Sequence, residues 1–333
     1  MLEASLAQDS QPSSAGLPAS VASPGFQLDP GSDWLFAKLY CSPSHADRLL
    51  FELVRPLVAE VMSAGLADRW FFLRYGDPNW HLRLRFHGDP AILSAYVLSR
   101  LRRLAEDHQR QGTLWRLQFD AYEREVERYG GPLGIGVAEH LFQLDSELCL
   151  DLLQMISDLG DADLRWQLAC CGVDRLLSAL GLALEEKESL ARNMARAREQ
   201  QFVIDQDYKQ QMAQTFRVHR QTLAALVADG EAGKTVGQAA EASKPAIIPE
   251  KAIAALARYS ARLQPIREQL ENLQQSNKLT LPIPDLAANF AHMHLNRMFR
   301  SRHHEQEAVV CDLLSRTYAS MIARRNGAAP IPQ

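Results

Sequence analysis

The segment Trp70–Pro90, WFFLRYGDPNWHLRLRFHGDP, decides the fold. From His81 to Phe86 the polar residues His81, Arg83 and Arg85 alternate with Leu82, Leu84 and Phe86. A period of two is the signature of a strand with one apolar face, so the histidine and both arginines share the other face. The preceding RWFFLRY is rich in aromatic residues and reads as a second strand. Between them GDPNW supplies turn chemistry, which makes the pair a hairpin. Periodicity alone offers two uses for the basic face: a solvated surface of an antiparallel strand, or an anion clamp built from planar guanidinium forks.

Working outward, DWLFAKLY reads as a strand, and SPSHADRLLFELVRPLVAEVMSAG as a helix. In that helix Leu49, Leu50, Leu53, Val54, Leu57, Val58 and Val61 recur at helical spacing. Pro56 should kink it or shift its start. Asp89 followed by Pro90 signals an N-cap and first helical position, opening a helix that runs to about Gln111. TLWRLQFDAY returns as a strand. The order is β-α-β-β-α-β, the ferredoxin-like order. HLRLRF is the third strand of that order and therefore central, with helices expected on one face of the sheet.

Beyond YEREVERYGG (Tyr122–Gly131) the chain reads as almost entirely helical. A marked case is the run Ile253, Leu256, Tyr259, Leu263, Ile266 and Leu270. The fold class is thus α+β: a ferredoxin-like half over residues 33–122, then a predominantly helical half over 123–325, together one domain. The Ser-, Ala- and Pro-rich residues 1–32 are expected to be a disordered arm, 228–250 a flexible linker and 326–333 a disordered tail. A cleft between the halves is the default place for a site.

Composition narrows the function classes. The 333 residues are 47% hydrophobic and 23% charged, with 36 basic and 40 acidic residues and a net charge of −4. That balance carries no electrostatic footprint for nucleic acid or an anionic membrane. No run of about 18 apolar residues occurs, so no membrane span is expected. The five cysteines form no CxxC pair, which fits a reduced cytoplasmic protein. There is no P-loop, dinucleotide fingerprint or nucleophile elbow.

Two further segments carry candidate chemistry. In YEREVERYGG, read as a short helix ended by Gly-Gly, Tyr122, Glu125 and Arg128 fall near one face, and Glu125 can orient Arg128. The bland alternative is a solvated face of interleaved Glu and Arg. In NFAHMHLNRMFR (Asn289–Arg300), His292 and Asn296 are i,i+4 neighbours, with Met293 and Arg297 beside them. His292 and His294 invite a metal reading, but residues two apart on a helix diverge and no third ligand is assignable, so no metal is expected. Cys170, Cys171 and Cys311 read as small buried hydrophobes. The residues alone point to an α+β enzyme or binding protein with an Arg/His anion site.

Taken together, WFFLRYGDPNWHLRLRFHG, YEREVERYGG and HMHLNR, in that order and with long helical spacers, make the chain resemble the C-terminal elimination domain of class I lantibiotic dehydratases. That domain is also described as the thiopeptide-type bacteriocin biosynthesis domain. The resemblance covers about Asp33 to Ala323. It implies expulsion of glutamate from glutamylated Ser or Thr of a ribosomal precursor peptide, leaving dehydroalanine or dehydrobutyrine. It implies no cofactor. Only an arm precedes Asp33 here, so the expectation is a stand-alone form served by a separate tRNA-dependent glutamylation protein, with tRNA bound there rather than on this chain. The resemblance places the family's paired arginines on Arg83 and Arg85. The arginine of its second segment falls on Arg128, with Glu125 beside it and Arg124 as the rival. Its histidine falls on His292, His294 occupying a variable position. Asn296 and Arg297 of the same segment, with Arg124 and Glu125, are the expected substrate contacts. Whether His292 acts as base or acid is open at this point.

Competing functions follow from the same resemblance. Stand-alone relatives in thiopeptide pathways perform a formal [4+2] cycloaddition that builds a pyridine, and others are amine-adding. A non-catalytic peptide-binding subunit is the alternative of a different class. Self-association as a homodimer is left open by the sequence.

Overall fold

A computed structural model describes residues 27–161, 163–199, 206–228 and 248–327. The expected arm, linker and tail therefore lie outside the described residues over 1–26, 229–247 and 328–333. In chain order, β1 (Gln27–Leu28) is followed by β2 (Trp34–Tyr40), then by α1 (Pro43–Leu49) and α2 (Arg55–Ser63). The hairpin of β3 (Arg69–Tyr75) and β4 (His81–His87) leads into α3 (Pro90–Ile92) and α4 (Leu98–Arg110). β5 (Arg116–Asp120) and β6 (Tyr122–Glu123) complete this half.

The four-stranded sheet has the order β3-β4-β2-β5 with every neighbour antiparallel. This is the expected ferredoxin-like arrangement, and HLRLRF is central in it. Arg85 stands between Phe36 and Phe71, and Arg83 between Lys38 and Leu73. The expected helix starts hold as well. Asp89 Oδ1 accepts the N–H groups of Ala91 and Ile92 at 2.9 and 3.0 Å. Pro56 has no N–H to give, and the helix accommodates it by widening into one π turn at Leu50–Val54 just before α2 rather than by breaking.

Two expectations are corrected here. Gln27 and Leu28, assigned to the arm, pair with Glu123 and Tyr122. YEREVERYGG is accordingly not a helix: its first two residues are strand, and Glu127–Tyr129 form a single 3₁₀ turn. Interleaved Glu and Arg suit a helix locally, but the partner strand lies far upstream and no local period reveals it. Gly130 and Gly131 then take φ of 84° and 88°, which redirects the chain into the next helix.

The second half consists of α5 (Gly131–Leu159), α6 (Leu164–Ala179), α7 (Leu184–Glu199), α8 (Gln206–Ala228), α9 (Glu250–Gln275), α10 (Ile283–Met298) and α11 (His303–Gly327). Of the apolar run expected on α9, Ile253 is exposed and the rest are buried. Cys170, Cys171 and Cys311 are buried, as expected of small hydrophobes. No described helix is long and apolar enough to cross a membrane.

One continuous apolar core runs from Trp34 to Tyr318 through both halves. The join is polar as well. β3 is an edge strand, so Phe72 and Arg74 turn their N–H and C=O groups outward. Ser146 Oγ on α5 accepts the Phe72 N–H at 3.2 Å, and Arg297 Nε on α10 donates to the Phe72 carbonyl at 2.9 Å. Asn296 meets Arg74 in the manner of a strand partner: Oδ1 accepts its N–H at 2.9 Å and Nδ2 donates to its carbonyl at 2.8 Å. Side chains of two helices thereby satisfy backbone groups that would otherwise be buried unpaired.

Candidate active site

The open face of the sheet, opposite the apolar residues Leu82, Leu84 and Phe86, carries the basic residues. A cavity of about 560 Å³ lies on it, lined among others by Phe36, Lys38, Arg83, Arg85, Asp120 and Glu125. Arg85 is 4% exposed, and its Nε and Nη1 have no hydrogen-bond partner among the described residues. The guanidinium is held by aromatic faces instead, 4.2 Å from the Phe36 ring centroid and 4.3 Å from that of Tyr122. Burial pulls its pKa down to about 10. Arg85 also lines the cavity, and a desolvated guanidinium there attracts an anion.

Arg83 stacks on Tyr75, with Cζ 3.4 Å from the ring centroid. The sequence offered no role for His81, and the structure supplies one. The His81 ring is buried, which pushes its pKa down. Its Nδ1–H donates to the Asn79 carbonyl at 2.8 Å, so Nε2 is free to accept the Arg83 Nε–H at 3.3 Å. A neutral histidine thus aims the neighbouring arginine.

The two arginines of YEREVERYGG have different commitments. Arg124 forms a fork on Glu139, with Nε 2.8 Å from Oε1 and Nη2 2.7 Å from Oε2. Glu139 is fully buried and also accepts from the Tyr122 hydroxyl and from Arg69. Arg124 therefore lines the cavity with its fork already filled. Arg128 pairs with Glu125 at 2.9 Å, the orientation expected from their spacing. It also reaches α10: its Nε donates to Asn289 Oδ1 at 3.3 Å, and Asn289 Nδ2 donates to the Arg128 carbonyl at 2.9 Å.

Asn289 and His292 are neighbours on α10. His292 Nδ1 lies 2.7 Å from Glu307 Oε2 on α11 and 3.2 Å from Arg198 Nη2; the shorter contact to the carboxylate assigns the proton to Nδ1 and leaves Nε2 as the exchangeable nitrogen. The Glu307 side chain is 3% exposed and is also met by Arg198 Nε at 3.1 Å. Burial alone would raise its pKa, but the His292 bond and Arg198 hold it below the usual carboxylate range. Glu125 ties the two groups together. It lines the cavity, its charge acts on Arg83 and Arg85, and its carboxylate holds Arg128.

Asn296 and Arg297, expected at the substrate, face elsewhere. Both are spent on the backbone of β3, and Arg297 is fully buried. His294 is likewise fully buried, donating Nδ1–H to Asp145 at 2.7 Å. Asp145, Cys149 and His294 converge, but Asp145 also holds Arg297 at 2.8 Å and the Tyr259 hydroxyl at 3.2 Å. A guanidinium at that carboxylate suits a buried ion pair and does not suit a metal cation.

Sequence reasoning missed Lys38, Asp120, Asn289 and Glu307. Lys38 is the charged residue of an otherwise uncharged strand, WLFAKLY, and that exception was the available signal. Glu307 carried none, because its partner is on another helix.

Residues 34–318 match the family described as lantibiotic biosynthesis dehydratase, C-terminal. The chain is 36% identical over 129 residues to the subtilin biosynthesis protein SpaB of Bacillus subtilis, covering 38% of this chain and 12% of that one. It is 31% identical over 132 residues to the nisin biosynthesis protein NisB of Lactococcus lactis subsp. lactis, covering 40% of this chain and 13% of that one. The matches thus span a small part of these relatives' length. Among solved structures, the tRNA-dependent lantibiotic dehydratase MibB from Microbispora sp. 107891 aligns with a TM-score of 0.66 at 23% identity, over 89% of this chain and 29% of that chain. The pyridine synthase TbtD of thiomuracin biosynthesis aligns with a TM-score of 0.67 at 17% identity, over 88% of this chain and all of that one. At these identities both likenesses speak to the fold.

Proposed function

Because the chain belongs to the lantibiotic biosynthesis dehydratase C-terminal family, we propose that it eliminates glutamate from glutamylated Ser or Thr of a precursor peptide. The observation that carries this reading is Arg85, a buried guanidinium held between aromatic rings at a cavity also lined by Arg83. The reaction breaks the Cα–H and Cβ–O bonds of the modified residue and forms the Cα=Cβ bond, and glutamate departs as a carboxylate. Arg83 and Arg85 receive that carboxylate, and preorganised donors of this kind stabilise charge as it develops. Arg128, aimed by Glu125 and Asn289, adds positive charge for the enolate-like carbonyl oxygen. His292 accepts the Cα proton at Nε2, its ring held in place by the Nδ1–H bond to Glu307.

A peptide partner and a separate glutamylating protein belong to the same proposal. Pyridine formation is the second reading, favoured by the full-length alignment with TbtD. Incubation with glutamylated precursor peptide, followed by mass spectrometry, separates the two. Loss of glutamic acid with a dehydro residue left behind supports elimination. Persistence of the glutamylated peptide with folded protein refutes it. Ring formation on an already dehydrated peptide would establish the second reading.

A further inference from the structure

The cavity contains a charged pair that elimination as described leaves unused. Lys38 on β2 and Asp120 on β5 lie on the same sheet face as the arginines, with Lys38 directly across from Arg83 in the register. They form an ion pair, and both line the cavity. The Lys38 side chain is 16% exposed and that of Asp120 40%. The hydrogen bond from Lys38 holds the Asp120 carboxyl below its usual range. Arg85, a buried cation held between aromatic rings, lines the same cavity.

An amino acid delivered from tRNA is esterified through its α-carboxyl group. A glutamyl ester therefore presents three charged or chargeable points: the ester carboxyl, a free α-ammonium and a distal carboxylate. Resting on the elimination reading, we propose that Asp120 and Lys38 form a subsite that reads the zwitterion. Asp120 takes the α-ammonium, Lys38 takes the distal carboxylate, and Arg83 with Arg85 take the departing α-carboxylate. The ligand exchanges one internal ion pair for two of its own, so no charge is left uncompensated as water is displaced. A volume of about 560 Å³ falls in the range of small-molecule sites. An acyl group lacking either charge would leave one member of the pair unmatched, which is the way polar sites reject analogues.

The test is binding of the free leaving group. L-glutamate, glutarate (no ammonium) and L-2-aminobutyrate (no distal carboxylate) are titrated by calorimetry against the whole chain and against Asp120→Asn and Lys38→Met, with circular dichroism confirming the fold of each. L-glutamate is expected to bind about tenfold or more tightly than either analogue, a difference a single matched charge pair supplies. Asp120→Asn should reduce glutamate to the level of glutarate without weakening glutarate. Lys38→Met should do the same with respect to 2-aminobutyrate. Equal binding of glutamate and glutarate, no binding of glutamate, or parallel loss of both in Asp120→Asn overturns the subsite. Peptide elimination is assayed alongside: its absence refutes the elimination reading alone, whereas elimination without discrimination among the three ligands refutes only the subsite.

Discussion

His292 and Glu307 are joined by a 2.7 Å hydrogen bond between helices α10 and α11, with the carboxylate buried behind the ring. The bond fixes which ring nitrogen is free and keeps a negative charge behind it. Glu307→Gln preserves a hydrogen-bonding group and removes the charge. It is expected to slow elimination by about tenfold or more, with glutamylated peptide accumulating by mass spectrometry and with peptide KM unchanged. A purely structural role for Glu307 would instead lower thermal stability and leave the rate per folded molecule as it is.

Arg85 is costly to the fold, because a buried cation whose Nε and Nη1 have no partner among the described residues is poorly compensated. Arg85→Met keeps the bulk between Phe36 and Tyr122 and removes the charge. The melting temperature should be unchanged or raised, while elimination falls by about a hundredfold or more. Clear destabilisation would show that the guanidinium serves the fold and not a ligand.

Asn296 holds both outward backbone groups of Arg74. Asn296→Ala should cost about 2 kcal/mol of stability, measured by urea unfolding, since two buried backbone groups lose their partner. Below the melting transition its KM for peptide should match that of the parent chain. A raised KM at full stability would return Asn296 to the substrate.

Asp47 is 3% exposed and receives Arg74, Arg165 and Arg300 at 2.6, 2.7 and 2.6 Å. Burial alone would raise its pKa, but the three guanidiniums outweigh that and depress it far below the usual value. A depressed folded-state pKa contributes stability that is fully present above the unfolded value of about 4 and is lost as pH falls below it. Asp47→Asn should therefore destabilise by about 3 kcal/mol at neutral pH. The gap to the parent should narrow progressively below about pH 4, as followed by thermal melts across that range.

The sheet was legible because period-two alternation, turn residues and an N-cap are local signals, and HLRLRF, GDPNW and Asp89–Pro90 each act within a few residues. Arg83, Arg85, Arg128 and His292 were named as a set through the resemblance that three segments and their order carry. What surrounds them was not. Glu307 meets His292 across two helices, and Asn289 is tied to Arg128 from 161 residues away. Asn296 and Arg297 share a segment with His292, and proximity in sequence suggested a shared task. On a helix, however, each residue faces where its own angle sends it, and these two face the edge of β3. YEREVERYGG misled for a related reason: its first two residues pair with Leu28 and Gln27 as a strand, which its own charge pattern does not announce.

The sealing of β3 by Ser146, Asn296 and Arg297 bears on how such a chain can be recombined. The sheet and the bundle are not interchangeable cassettes, because the strand's outer backbone is completed by side chains from α5 and α10. A chimaera that grafts the first half onto a foreign bundle must bring this trio, or its donors and acceptors, along with it. Without them the graft would present an open strand edge, and the expected product is an aggregate.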